Sequence, residues 1–285
     1  MPVAGNGAAI SVFQLIADTL AERGIAFSAE KTSYMGHATE LTREAVKNGA
    51  ERIVVLGGDG TIREVATALA YTDVKLGIIS CGTGNDIIRA LKIPKDPLAA
   101  LEIILDNEAK HMDAAMANDL IYFNVAGFGF DVDVLRYVEI YKKRMKNGSL
   151  AYLRGLLTAL LHLNFRKTKI TWPEGSMEAD VLIIAAGNGT HFGGGMMVTP
   201  HADPFDGLLD ICVITNISKL NAYMILPKFM KGEHLTTKYV TYFKTTELTA
   251  VCEPASLLDV DGEMIPGTPV TFKIVPKALW VIVPR

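Results

Sequence analysis

Ile53-Val54-Val55-Leu56-Gly57-Gly58-Asp59-Gly60-Thr61-Ile62-Arg63-Glu64 joins a short apolar run to three glycines, one acid and the start of a helical pattern. The run Ile53 to Leu56 is too short for a helix and rich in β-branched residues, the pattern of a parallel strand covered on both faces. From Thr61 to Tyr71 the apolar spacing is helical. Glycines at the carboxyl end of such a strand let the backbone approach a bulky anion, and the free N–H groups of the following helix favour phosphate. Asp59 would repel that phosphate, so its presence implies a Mg²⁺ between the two. The plainer alternative is a tight strand-to-helix turn with a solvated Asp.

One strand further on, Leu76 to Ser80 runs into a second glycine turn, Ser80-Cys81-Gly82-Thr83-Gly84-Asn85-Asp86, followed by helical Ile87-Ile88-Arg89. Adjacent strands of a doubly wound sheet place their terminal loops side by side, so both turns would converge on one polyphosphate. Asn85 or Asp86 alone could be a simple helix N-cap. Upstream, Ile10 to Arg23 reads as a helix closed by Gly24, Ala26 to Thr32 as extended, and Gly36 to Asn48 as a helix ending at Gly49. Downstream, Pro97 to Leu105 is another helix. Strand, helix and strand in such short order predict right-handed crossovers and a three-layer α/β nucleotide-binding domain with a parallel sheet.

After Asp113 the texture changes. Tyr122–Ala126, Lys167–Trp172, Ala179–Ala186, Leu208–Thr215, Thr245–Cys252, Val270–Val275 and Ala278–Val283 read as strands between Gly, Pro and Asn turns. Helices are expected only near Val132–Lys146, Leu150–Leu163 and Leu220–Lys231. The expectation is an α/β domain over residues 1–115 and a β-rich, sandwich-like domain over 116–285, the last residues returning to the first domain.

Composition narrows the function classes. Over 285 residues, apolar side chains make up 49% and charged ones 21%, an ordinary globular balance. Lys plus Arg number 28 against 31 Asp plus Glu, a net charge of −3, which argues against nucleic-acid binding through a broad basic face. Cys81, Cys212 and Cys252 are scattered among apolar residues and read as thiols of a reducing compartment. No signal peptide or spanning helix is expected, so the expected location is cytoplasmic.

Gly57-Gly58-Asp59-Gly60-Thr61 together with Gly82-Thr83-Gly84-Asn85-Asp86 resembles the catalytic domain of the diacylglycerol kinase and sphingosine kinase superfamily. The soluble bacterial diacylglycerol and lipid kinases are the nearer likeness. Further signatures follow in order: Asp113; Tyr122 to Asp131; Asn188-Gly189 with Phe192-Gly193-Gly194-Gly195-Met196; Asp203-Pro204-Phe205-Asp206-Gly207-Leu208-Leu209-Asp210; and Asp261-Gly262-Glu263. The resemblance implies ATP held by Pro2, Gly5, Thr32, Gly57, Gly58, Gly60, Thr61, Glu64, Thr83 and Asn85. It implies a polar network of Asp59, Asp86, Arg89 and Asp113 placing Mg²⁺ and phosphates. Asp206 with the backbone carbonyls of Asp203 and Leu208 matches a structural Mg²⁺ site, and Glu263 matches a general base. Asp59 and Asp86 join Glu263 as its catalytic carboxylates. His191 and His201 are assigned no metal.

The implied reaction is ATP- and Mg²⁺-dependent phosphorylation of diacylglycerol or a related lipid such as phosphatidylglycerol, ceramide or a sphingoid base. An NAD kinase-like enzyme and a non-catalytic module are the rivals. The chain departs from the family pattern at its start, where Met1 stands in place of an Asn preceded by an apolar strand. A truncated start, leaving a neighbouring strand edge unpaired, is the expectation. Lys142-Lys143-Arg144-Met145-Lys146 beside the Leu-rich stretch Leu150 to Leu161 suggests transient contact with the inner face of a membrane, against the plainer reading of a packed helix with a solvated basic end. Pairing with a second copy is also open.

Overall fold

The computed structural model describes residues 8–145 and 147–285. By its internal contacts the chain forms two compact units. Unit 1 gathers the residues up to Ala114, Pro204–Gly207 and Val275–Arg285; unit 2 comprises Ala115–Asp203 and Leu208–Ile274.

Unit 1 begins with α1 (Ala8–Glu22) and α2 (His37–Lys47), then β1 (Arg52–Gly57), α3 (Asp59–Leu69), β2 (Lys75–Ser80), α4 (Asp86–Ala90) and α5 (Pro97–Asp106). β1 and β2 run parallel, Gly57 opposite Ser80. The end of the last strand, β15 (Val270–Ile282), adds a third parallel strand, Trp280 opposite Lys75 and Val281 opposite Leu76. Ile62, Val65, Ala66 and Leu69 bury one face of α3, and Ala100, Leu101 and Ile104 one face of α5. The α5 start is set by Pro97 and by Asp96, whose side chain accepts the Ala99 N–H at 2.8 Å.

Two expectations for this unit fail. Ala26 to Thr32 forms no strand and is largely exposed. β1 is not covered on both faces, since Val54 is 44% exposed and Ile53 half-buried. The second departure has a visible cause: among the described residues β1 pairs only with β2, at the end of the sheet.

The chain enters unit 2 within β3 (Ala109–Ala117) and continues through β4 (Leu120–Tyr122), β5 (Val125–Gly129), α6 (Phe130–Lys142), α7 (Gly148–Leu161), β6 (Arg166–Trp172) and β7 (Gly175–Gly187). A short hairpin of β8 (His191–Phe192) and β9 (Met196–Met197) precedes β10 (Leu209–Thr215), α8 (Lys219–Lys231), β11 (Val240–Thr245), β12 (Glu247–Glu253), β13 (Leu258–Val260) and β14 (Glu263–Ile265). β7 organises the unit. Its first half pairs with β6, which continues to β12 and β15; its second half lies between β5 and β10, with β13 and β14 beyond β5 and β11 beyond β10.

Strand alternation supplies the core. Ile170, Leu248, Ala250, Val270 and Phe272 meet Phe128, Ile184, Ile211, Val213 and Val260 in one buried cluster, the two inner faces of a sandwich. The sequence reading missed β3 and β11. It also split β15, which runs unbroken past Pro276 and Lys277 (φ 55°). α6 and α7 pack closely because Gly155 has no side chain: a Cβ there would lie 2.6 Å from Val138 Cγ2 and 2.8 Å from Val138 N.

Candidate active site

The carboxyl ends of β1 and β2 bring the two glycine turns into contact, with the Cys81 N–H donating to Gly57 O at 2.9 Å. Asp59, the first residue of α3, binds across the gap. Its Oδ2 accepts the Asn85 N–H at 2.7 Å and its Oδ1 the Asp86 N–H at 2.9 Å, with the Ile87 N–H at 3.5 Å. The carboxylate therefore supplies the cap that α4 lacks from its own N-cap residue. Asn85 adopts φ 57°, and its side-chain oxygen accepts the Ser80 hydroxyl.

The glycines answer the same close packing. A Cβ on Gly82 would stand 2.7 Å from Gly58 Cα, and one on Gly84 2.7 Å from Asp59 Oδ2. Read from sequence, these glycines admit a phosphate and Asp59 faces a metal. In the structure, Gly82 and Gly84 admit the neighbouring loop, and Asp59 holds it there.

Glu64, one turn further along α3, does the same for α2. Its Oε1 accepts the Gly36 N–H at 2.9 Å and its Oε2 the Ala38 N–H at 3.1 Å, while the Thr39 hydroxyl donates to the Glu64 carbonyl at 3.1 Å. One helix start thus pins two others. It also anchors the segment that carries half-buried Thr32, which the Ser33 N–H further ties to His37 Nδ1 at 3.0 Å.

What remains open toward solvent is Gly60, around whose missing Cβ nothing lies within 4 Å, exposed Thr83, and Arg89, paired with Asp86 at 2.8 Å. Gly57 is closed off by Thr61, whose Cβ would be 2.8 Å from an added methyl. Pro2 and Gly5 lie outside the described residues.

Asp113 also belongs to unit 1. It is 2% exposed. Its Oδ1 accepts the Lys277 N–H and its Oδ2 the Gly207 N–H, each at 2.7 Å, and its own N–H donates to Pro204 O at 2.8 Å. It clamps the Pro204–Gly207 turn, whose Asp206 points outward enough to be exposed. Among the described residues no three His, Cys, Asp or Glu side chains gather as a metal cluster. The Pro204–Gly207 turn offers the exposed Asp206 carboxylate and backbone carbonyls as oxygen donors. A hard oxygen set of that kind suits Mg²⁺, which keeps several waters and needs few protein ligands.

In unit 2, Asp261 (φ 49°) and Gly262 (φ 86°) form the two-residue turn joining β13 to β14, the positive-φ pair of a type I′ hairpin. Glu263, exposed, is the first residue beyond it. Asp261 carries more of the architecture than its place in the motif suggested. Its carboxylate accepts the N–H groups of Phe123 at 2.9 Å, Asn124 at 3.0 Å and Val125 at 3.2 Å. Asn124 in turn donates to the His191 carbonyl, and Asn188 to the Phe123 carbonyl at 2.9 Å. The signal was present in the sequence, an Asp before Gly in a hairpin, yet nothing local names the three amides it meets.

Two further buried sites were given no role in the sequence reading. Asp131 and Asp133 open α6, and Asp133 pairs with Arg166 at 3.0 Å. Burial pushes the Asp131 carboxyl up, to about 7, and the nearby Asp133 charge adds to the rise. His234, fully buried, lies 3.7 Å from Cys212 Sγ and 3.0 Å from the Val198 carbonyl, and burial pulls it down to about 4.

The chain thus combines a parallel α/β unit carrying paired glycine turns and a β-sandwich unit. The chain matches the diacylglycerol kinase catalytic domain over residues 2–117 and the YegS C-terminal NAD kinase beta sandwich-like domain over residues 124–283. It is 30% identical to a diacylglycerol kinase of Mycobacterium tuberculosis across 100% of this chain and 93% of that one. A Pseudomonas aeruginosa protein named "Probable lipid kinase YegS-like" is 31% identical over 92% of this chain and 86% of its own. A crystal structure from Bacillus anthracis str. Sterne superposes with TM-score 0.81 at 25% identity, covering 99% of this chain and 93% of that one. The chain belongs to the diacylglycerol kinase and YegS-like lipid kinase family, and membership in a kinase family implies ATP as phosphate donor. No helix among the described residues is long and apolar enough to cross a membrane.

Proposed function

We propose that this lipid kinase transfers the terminal phosphoryl group of ATP to the free hydroxyl of diacylglycerol, giving phosphatidic acid. The observation that carries the nucleotide half of the reading is the pair of glycine turns locked by Asp59, which leaves Gly60, Thr83 and Arg89 presented to solvent. Phosphoryl transfer depends mainly on positioning and charge neutralisation, and a rigid pair of loops with one accessible guanidinium serves both. Thr32, Gly58 and Asn85 belong to the same nucleotide site. Asp59, Asn85 and Glu64 serve it by fixing backbone; Asp86 serves it by orienting Arg89.

Mg²⁺ would enter with ATP and neutralise charge on its phosphates, placed by the Asp59, Asp86, Arg89 and Asp113 network, while Asp206 with the carbonyls of Asp203 and Leu208 would hold a separate, structural Mg²⁺. Glu263, exposed beside a rigid hairpin turn, takes the proton of the lipid hydroxyl. A YegS-like name among the relatives favours a second reading in which the acceptor is another hydroxyl lipid.

The test is labelled ATP with diacylglycerol, phosphatidylglycerol, ceramide, a sphingoid base or NAD, the lipids in mixed micelles. Label in phosphatidic acid is the expected result. Label in another lipid shifts the acceptor, and label in NAD alone overturns the lipid assignment. Glu263→Gln should keep the melting temperature and lower kcat by about 10²-fold or more; wild-type turnover in that variant removes Glu263 from the reaction.

A further inference from the structure

The outward faces of α7 and α8 in unit 2 carry large, exposed apolar side chains. On α7, Leu150, Leu153, Leu157 and Leu161 are 50–64% exposed, and their spacing of three, four and four residues places them in one stripe. On α8, Leu220, Tyr223, Met224 and Met230 are 40–71% exposed. The helices are neighbours, since the Tyr223 hydroxyl donates to the Leu160 carbonyl at 3.2 Å. Their inner faces, Leu160, Ala222, Ile225 and Phe229, are already buried in one cluster with β7 and β10. Scattered surface leucines need no explanation, but eight such side chains on adjacent helices form a patch.

Basic side chains dominate the two helices, with acids at the margins: Arg166 pairs with Asp133 and Lys167 with Glu178, and Glu139 and Glu233 are exposed just outside the basic stretches. Residues 140–173 hold eight Lys and Arg and no acid, and residues 211–232 hold three Lys and no acid. The whole chain carries −3, so everything outside these two stretches carries −14. Lys142, Lys143, Arg144, Arg154, Lys219 and Lys231 are all exposed around the two helices.

We propose that this two-helix face docks on the surface of an anionic phospholipid bilayer, the leucines at the headgroup–acyl boundary and the basic side chains on the phosphates. Charge selects the occupant. A second copy would set one basic face against another, whereas an anionic leaflet complements it. The proposal rests on the lipid-kinase reading only for the purpose of docking, which is to bring the enzyme to a hydroxyl lipid that resides in the bilayer.

The experiment is co-sedimentation of the full chain with vesicles of phosphatidylcholine alone and of phosphatidylcholine containing phosphatidylglycerol, at low and high salt. Wild type should bind the anionic vesicles and lose much of that binding in high salt. Leu153→Gln/Leu157→Gln should weaken the partition coefficient at least tenfold, and each of Lys142→Gln, Lys143→Gln and Arg144→Gln by about fivefold. All should keep wild-type turnover on a short-chain diacylglycerol dissolved as monomer. Unchanged vesicle binding in the leucine variant overturns the proposal. So does a wild-type dimer that the leucine substitutions split without touching vesicle binding, which would make the face a contact between copies. Vesicle binding that follows the predicted order while no lipid is phosphorylated supports the docking face and overturns the kinase reading alone.

Discussion

Replacing Asp59 by Asn separates holding the loop from handling the ligand. The carboxylate takes two short N–H bonds, at 2.7 and 2.9 Å, and a long one at 3.5 Å. An amide of the same shape keeps one acceptor oxygen and turns an NH₂ group toward the remaining donors. One charge-assisted bond is lost and one part-buried N–H is left unpaired, at about 1.5–3 kcal/mol for the first and about 1–3 kcal/mol for the second, partly overlapping. The expected loss is about 2–4 kcal/mol, which lowers the melting temperature by roughly 2–4 °C per kcal/mol.

The readout is built into the chain. Its two tryptophans fall in different units, Trp172 in unit 2 and Trp280 in unit 1. In a Trp172→Phe background, urea unfolding followed by fluorescence reports unit 1 through Trp280. Asp59→Asn should shift the midpoint down there, with faster amide exchange at Asn85 and Asp86. Thr83→Ala, at an exposed position of the same loop, should leave both unchanged. An Asp59→Asn protein as stable as its parent but inactive would refute the reasoning, because the carboxylate would then be acting on the ligand and not on the loop.

Other substitutions test other joints. Asp261→Asn should lower kcat at little cost in KM, since it loosens the turn that fixes Glu263; equal kcat in that variant would show that Glu263 is positioned by other means. Gly155→Leu should destabilise unit 2 by at least about 1–3 kcal/mol of overpacking against Val138, and an unchanged thermal melt would contradict the close α6–α7 contact. His234 has a folded pKa of about 4, below its ordinary 6.5. The stability it supports is therefore complete above pH 6.5 and is lost as pH falls toward 4, by at most about 1.4 kcal/mol per pH unit. Asp131 acts in the opposite sense, its raised carboxyl favouring the folded state at low pH and losing that contribution as pH rises through about 7. The two oppose each other over nearly the same window, so His234→Gln should remove the part of the pH–stability curve that rises from about pH 4 to 6.5 and Asp131→Asn the part that falls from about pH 3.8 to 7; a curve unchanged by a substitution would exclude that group.

The elements legible in the sequence were those whose periodicity is their own. α3, α5 and α8 announced themselves by spacing, Pro97 and flanking glycines, and β6 and β10 by short β-rich runs. β3 and β11 were missed because Lys110-His111-Met112-Asp113 and Thr241-Tyr242-Phe243-Lys244 carry little of the apolar alternation that marks a strand; besides its neighbour β4, β3 pairs with the distant β15, and β11 pairs with β10 across α8. The same limit applied to the site. The two glycine turns were visible as sequence, and so was the likelihood of an acid between them having a special task. That Asp59, Glu64, Asp113 and Asp261 all spend their carboxylates on backbone N–H groups was not visible, because each partner lies 26 to 164 residues away or is fixed by another element's path.

The order in which the parts of unit 1 leave the ribosome follows from β15. Its final residues run beside β2 at Lys75 and Leu76, and the Ala278 carbonyl accepts the Tyr71 N–H at 2.8 Å. Asp113 waits likewise for the Gly207 and Lys277 amides. Unit 1, most of which is synthesised before unit 2, therefore acquires its strand beside β2 only once residues 275–282 are made. Unit 2, whose segments are complete by Ile274, is ready earlier. Nascent chains halted before residue 275 should hold a protease-resistant sandwich while their nucleotide-handling half is still open to cleavage, an inversion of the usual N-terminal-first sequence.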